Sequence, residues 1–180
     1  MSGPPLVIAE SRFDKDAEGW TAAPLSDGDL VYNATAGHPG GCVEMRDHGT
    51  GGICYFQAPE KFLGNKRGSF RIDYDVKRGT GPLFVAAEMK LIRGDRELQF
   101  STSPPPSAGV WVTRSVTLAP GDGWIDKTHN KPATARDFEF VLNSLEKMYI
   151  RAEFTGSRDI TYLDNVVMLF HKEPPVLPPG

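Results

Sequence analysis

Three acids crowd a short stretch near the start of the chain. "FDKDAEGW", from Phe13 to Trp20, carries Asp14, Asp16 and Glu18 within five positions and closes on Gly-Trp. Carboxylates so placed suit three purposes. They can ligate a hard cation, which takes about six to eight oxygens from carboxylates, carbonyls and water. They can act as a general acid and base. They can also cap a tight turn through Asx-type bonds, with Phe13 and Trp20 as core anchors. Two further carboxyl pairs, Glu44 with Asp47 and Glu88 with Glu97, would serve glycoside hydrolysis if a sheet set them at the separation that chemistry needs. Acids on the wet face of a sheet account for them more simply. Sugar recognition asks instead for exposed rings, which stack on the CH faces of pyranoses. Tyr32, Trp111, Tyr162 and Trp124 are the candidates, each weighed against packing at an edge of the sheet or against a loop.

Other chemistries lack their signatures. His38, His48, His129 and His171 fall in four separate segments, and HxH, HxxxH and CxxC are absent, which argues against a transition-metal site. There is no G-x-S-x-G elbow and no G-x-x-x-x-G-K-[ST] loop. "GHPGG" and "GTGG" do not open helices and read as loops rather than phosphate cradles. Cys42 and Cys54 are too few for a disulfide framework. They either pair across neighbouring strands or act as two buried thiols.

Strands must position these residues. "SFRIDYDV", from Ser69, alternates cleanly: Phe70, Ile72, Tyr74 and Val76 point one way, Arg71, Asp73 and Asp75 the other, the pattern of a half-buried strand. "DLVYNATA", "CVEMRD", "LFVAAEMKLI", "RELQFSTS", "VWVTRSVTLA", "MYIRAEF" and "TYLDNVVMLF" supply more, with a hairpin turn at Arg93-Gly94-Asp95. Roughly eight to ten strands at this spacing predict a β-sandwich. "TARDFEFVLNSL" breaks the pattern: Phe138, Val141, Leu142 and Leu145 follow helical spacing, with Thr134 as N-cap and Asp137 three residues on. The tail from Glu173, with four prolines in eight residues, is expected to be extended or disordered.

Composition sets outer bounds. The chain has 180 residues, enough for one self-sufficient domain. Its 20 basic and 23 acidic residues nearly balance, leaving a net charge of −3 and no basic footprint for nucleic acid. Nineteen glycines and 15 prolines fit many turns between short strands. No apolar run reaches the ~18 residues of a membrane span. The N-terminus lacks the basic and apolar regions of a signal peptide. A cytosolic protein and a module of a longer exported chain both remain open, so the compartment is unassigned.

Read in order, "YFQAPEKFLGN", "SFRIDYDV", "WVTRSVTLAPGDGW" and "RDFEFVLNSLEKMYIRAEF" resemble the laminin IV type A domain, also called laminin B, over a span from about Phe13 to Phe170. The flanking "FDKDAEGW" and "YLDNVVM" resemble the first and last strands of jelly-roll, galactose-binding-like carbohydrate-binding modules. Both resemblances imply an all-β, two-sheet antiparallel jelly roll with one short helix, spanning residues 1–172. The second implies that Asp14 and Asp164, with Asp16 as a further ligand and carbonyls of "GHPGGCV", hold a structural calcium ion. The function they imply is non-catalytic recognition of carbohydrate or of a glycosylated or matrix protein, with Tyr32, Trp111 and Tyr162 as ligand contacts. Two rivals stand beside it: a jelly roll that binds a protein partner as an intracellular assembly factor, and a small polysaccharide-acting enzyme. Laminin modules are flanked by cysteine-rich repeats, which this chain lacks.

Overall fold

The computed structural model describes residues 4–101, 104–121 and 123–171. The Pro-rich tail lies outside them. Thirteen strands and one helix follow in chain order: β1 (Leu6–Ser11), β2 (Thr21–Ala22), β3 (Gly28–Asn33), β4 (Cys42–Asp47), β5 (Tyr55–Gln57), β6 (Ser69–Lys77), β7 (Met89–Arg93), β8 (Arg96–Phe100), β9 (Val112–Thr117), β10 (Trp124–Asp126), β11 (Lys131–Pro132), α1 (Ala135–Asn143), β12 (Lys147–Arg151) and β13 (Ile160–Phe170). They form two antiparallel sheets. One runs β3-β4-β13-β6-β9, with β1 also on β13; the other runs β11-β10-β8-β7-β12-β5-β2. This is the β-sandwich that the alternation predicted, with the one short helix the helical spacing placed, in the two-sheet jelly-roll form the resemblance implied.

β13 organises the first sheet. One of its edges pairs with β6 along most of its length. The other pairs with β4 over Ile160–Leu163 and then with β1 over Val166–Phe170. Between those partners the register slips at Asp164–Val167, and Asn165 takes a left-handed φ of 50°. Asn tolerates that conformation better than most residues.

The alternation in β6 sends Ile72, Tyr74 and Val76 inward, where they meet Val43, Met45, Leu163 and Met168 from the same sheet and Phe56, Leu91, Met148 and Ile150 from the other. Trp20 wedges between Phe13 and Phe62 with edge-on contacts at 6.1 and 5.5 Å, and its indole N–H donates to Ser11 Oγ at 2.9 Å. Edge-on rings suit the aromatic quadrupole, and the hydrogen bond satisfies the buried N–H. "FDKDAEGW" is therefore not the first strand; it is the turn after β1.

The stretch "LFVAAEMKLI" becomes strand only from Met89. Pro82 precedes it, Leu83 makes a lone bridge to Thr155, and Val85 stays 94% exposed. The helix forms where its period placed it. Thr134 Oγ1 accepts Asp137 N–H at 3.2 Å, and Asp137 Oδ2 accepts Thr134 N–H at 2.8 Å, a closed capping box. Phe138 meets Trp124 edge-on at 5.1 Å. At the other end the Leu142 and Leu145 carbonyls accept from Lys66 and Gly64, so the "KFLGNK" segment satisfies carbonyls a helix end would leave unpaired.

Replacing the cap, Thr134→Ala, is expected to cost about 1 kcal/mol. Urea unfolding should show a lower midpoint with an unchanged slope, because the core and the surface exposed on unfolding stay the same.

Candidate functional site

The register slip in β13 builds a polar network on the outer face of the first sheet. Asp164, Asp75 and Thr113 stand side by side across β13, β6 and β9. The loop that carries His38 lies over them and buries Asp164 completely. Asp164 then accepts two backbone amides, His38 N–H on Oδ2 and Asn165 N–H on Oδ1, both at 2.7 Å. Asn165 Nδ2 donates to His38 O at 2.7 Å and to Asp75 Oδ2 at 2.8 Å. Thr113 Oγ1 donates to Asp75 Oδ1 at 2.6 Å, and His38 Nδ1 stands 3.3 Å from Asp75 Oδ2. Burial pushes the Asp164 carboxyl above its ordinary pKa and Asp75 adds to the rise, while the two amide bonds oppose it. The loop fits only because Gly41 has no side chain: a Cβ there would lie 2.1 Å from Phe13 O and 2.5 Å from the Tyr32 hydroxyl.

This network fixes one wall of an aromatic patch. His38 stacks on Trp111 at 5.4 Å with planes 8° apart. Trp111 precedes β9 next to Lys77, and Tyr162 stands opposite both Lys77 and Glu44. The Trp111 and Tyr162 rings are 6.3 Å apart, both half-buried, with Lys77 Nζ 4.6 Å from the Tyr162 centroid and 5.4 Å from that of Trp111. Behind them Glu44 accepts from Arg46 at 2.7 Å and Asn33 at 3.1 Å. The patch thus offers two adjacent rings, one ammonium and hydrogen-bonding groups, the mixture that suits a hydroxylated ring. Tyr32 is placed elsewhere. It pairs with the core-facing Val43, and its hydroxyl donates to Phe13 O at 2.9 Å.

In the 13–20 turn, Asp14 and Asp16 are exposed and line an open depression of about 400 Å³. Asp16 Oδ1 accepts Glu18 N–H at 2.8 Å, an Asx-type turn, and Glu18 accepts Phe13 N–H and a Lys61 ion pair. Tyr32 links this turn to Asp164. Burial first, then the charges of Asp14 and Asp16 and more weakly Cys42 and Asp164, raise its phenol pKa. Among the described residues, however, Asp14, Asp16 and Asp164 do not bring their ligand atoms within 4.8 Å of one another.

The remaining candidates separate. Glu44 faces outward and Asp47 follows the inward-facing Val43 and Met45, so they do not confront each other. Glu88 is buried in an ion pair with Arg151 at 3.1 Å, away from Glu97. Trp124 is 3% exposed and donates to Thr117 O at 2.7 Å, a packing residue. Cys42 and Cys54 are both buried and unbonded, and burial raises each thiol to about 12. Sequence reasoning placed Asp75 among the outward acids but not in this network, and it missed His38 and Asn165. The one available signal was Asp-Asn interrupting an otherwise apolar strand.

Asp164→Ala would leave the His38 and Asn165 amides without acceptors, at a cost of about 2–4 kcal/mol. Thermal unfolding of the variant should show that loss even in the presence of a chelator.

Comparison with known proteins places this geometry. Residues 55–174 match the family model described as Laminin B (Domain IV). The L4b domain of human laminin alpha-2 superposes with a TM-score of 0.61 at 15% identity, covering 87% of this chain and 100% of that one. The family 11 carbohydrate-binding module of a cellulosomal cellulase of Clostridium thermocellum gives 0.57 at 13%, covering 92% and 96%. The C-terminal family 22 module of Clostridium thermocellum Xyn10B gives 0.55 at 12%, covering 91% and 94%. No curated protein sequence matches. At these identities the structural neighbours establish the fold alone. The family model spans well over half of the chain, and the protein belongs to the laminin B (domain IV) family.

Proposed function

We propose that the protein is a non-catalytic recognition module whose outer sheet face binds carbohydrate, free or on a glycosylated matrix protein. The observation that carries the reading is the Trp111–Tyr162 pair, two half-exposed rings 6.3 Å apart on a face otherwise lined by Lys77, Glu44, Arg46 and the His38 loop. Neighbours in structure that are named as carbohydrate-binding modules support it. Lys77 is the adjustable part. Its flexible stem crosses both rings and can swing aside to let a pyranose stack, then offer its ammonium to a hydroxyl or an acidic group. His38, held by Asp75 and Asn165, is the fixed part.

Titration of the protein with soluble β-glucans, xylan and acidic glycans, read by tryptophan fluorescence, tests this. At least one glycan should bind. Trp111→Ala and Tyr162→Ala should each weaken it at least tenfold while the melting temperature changes little, since truncating a central aromatic contact residue costs about 2 kcal/mol or more. Glycans that leave the fluorescence unchanged, or variants that bind like the parent, would remove the proposal.

A structural calcium ion belongs to the same reading. The acidic surround of Tyr32 supports it: Asp14 and Asp16 are the exposed ligands, and the 13–18 turn would have to close toward Asp164. An ion bound by the native state alone stabilises by mass action. Millimolar calcium should then raise the melting temperature of chelator-treated protein by several degrees, and Asp14→Asn should abolish the rise. Identical melts with and without calcium would leave the stretch as a capped turn.

A further inference from the structure

The far end of the sandwich breaks the rule that governs its middle. Along β4 the inward positions run Val43, Met45, Asp47; along β13 they run Leu163 and Thr161, ending at Asp159 just before the strand. Apolar side chains belong at 47, 159 and 161, yet these are polar, and each is buried to at least nine-tenths. Asp47 N–H donates to Asp159 O at 3.1 Å, so the two acids are cross-strand neighbours with side chains on one face. The opposite sheet adds Cys54 and Glu153, fully buried and 8% exposed, with Cys54 N–H donating to Glu153 Oε2 at 3.0 Å.

Three buried carboxyls thus stand at this end of the sandwich: Asp47 and Glu153 close together beside Cys54, and Asp159 across the strand from Asp47. Among the described residues, none of them forms an ion pair with a Lys, Arg or His. Buried charges are ordinarily paired or metal-bound. Asp47 Oδ1 accepts Gly49 N–H at 2.8 Å, but Asp47 Oδ2, both oxygens of Asp159 and Thr161 Oγ1 are buried with no aligned hydrogen-bond partner. The Thr155 hydroxyl beside Asp159 is turned toward Ser157, at 3.3 Å from its Oγ. One ligand atom each from Asp47, Cys54 and Glu153 lies within 4.8 Å of the others, the one such group among the described residues. A cavity of about 380 Å³, walled by Gly49, Gly51, Ile53, Phe84 and Gly156, reaches Glu153 from solvent.

We propose that Asp47, Cys54 and Glu153 form a three-ligand binding site for a divalent cation of the zinc class, with water from the adjoining cavity completing the shell. The donor set decides the class. Calcium and magnesium take oxygen donors only, whereas zinc accepts a thiolate beside carboxylates at about 2.0–2.3 Å in a four-coordinate shell. Ligand atoms of such a shell are ~3.4 Å apart. Side chains already within 4.8 Å reach that by rotation. Binding expels the Cys54 proton, and any proton held between Asp47 and Glu153, to solvent. The site lies at the opposite end of β4 from Asp14, Asp16 and Asp164 and is independent of the carbohydrate face.

The deciding experiment titrates chelator-treated full chain at pH 7 with zinc, and separately with cobalt. Zinc should raise the melting temperature by several degrees with release of protons. Cobalt should give a sulfur-to-metal charge-transfer band. Cys54→Ser should lose the band, Glu153→Gln should lose the zinc response while melting above the metal-free parent, and Trp111→Ala and Asp14→Asn should keep both. Absence of any zinc response, or a band that survives in Cys54→Ser, overturns the site. A Glu153→Gln variant more stable than the parent, in a protein that ignores both metals, assigns the cluster to a proton shared by Asp47 and Glu153 instead.

Discussion

The sandwich depends on keeping the backbone of β13 hydrogen-bonded while that strand changes partner. β4 ends its pairing at Leu163 and β1 begins at Val166, so the ladder is interrupted in the middle of a sheet, where an unpaired amide is costly. Asp164 carries the junction. Its carboxylate receives the Asn165 amide from its own strand and the His38 amide from the loop above, and so takes the place of a missing strand. The bulge is the point at which one chain segment, the 37–41 loop, becomes part of the sheet's outer surface.

From that anchor the aromatic patch follows. Asn165 holds His38 by its carbonyl, Asp75 holds it by its ring, and the ring stacks on Trp111. The indole is therefore oriented by contacts that begin at the β13 junction, and Tyr162 stands on the same strand two residues earlier. An aromatic held in place by a polar network would lose little entropy on stacking the proposed ligand. It also explains why a fully buried acid is retained beneath an exposed patch.

Much of this was legible in the sequence, and what was not has a common cause. Period-two alternation gave β6 its inward Ile72, Tyr74 and Val76, and helical spacing with Thr134 and Asp137 gave α1 nearly to its ends. Gly94-Asp95 marked its hairpin. These signals are local, so residues a few positions apart suffice. Trp111, Tyr162 and Tyr32 were named together as candidate rings, and what parts them is strand pairing: Tyr32 opposes the core-facing Val43, whereas Tyr162 opposes Glu44 and Lys77. The resemblance made "FDKDAEGW" a first strand; the turn it forms instead uses left-handed backbone at Phe13, Glu18 and Gly19, of which only the glycine is a sequence signal. His38 and Asn165 sit 127 positions apart, and no single-chain pattern joins them.

The two ends of β4 and β13 make opposite use of buried acid. At the Cys42 end, Asp164 accepts two amides, and Asp75 accepts Thr113 and Asn165; every charge has a donor inside the protein. At the Asp47 end, Asp47, Glu153 and Asp159 are buried with four oxygen atoms unpartnered, counting Thr161. A pattern error of that kind is expensive if it does nothing, since apolar residues at 47, 159 and 161 would extend the core between the sheets. Arg151 shows that the chain can supply a counter-charge nearby: it pairs with Glu88, packs its guanidinium against Phe154 and Phe84, and donates to the Glu153 backbone carbonyl while leaving the Glu153 carboxyl alone. With that guanidinium committed elsewhere, and Arg78 donating to the Pro106 and Gly79 carbonyls, neither arginine forms an ion pair with the cluster, which is why a proton or a metal is proposed to balance it. The thiol of Cys54 among those oxygens is what favours the metal.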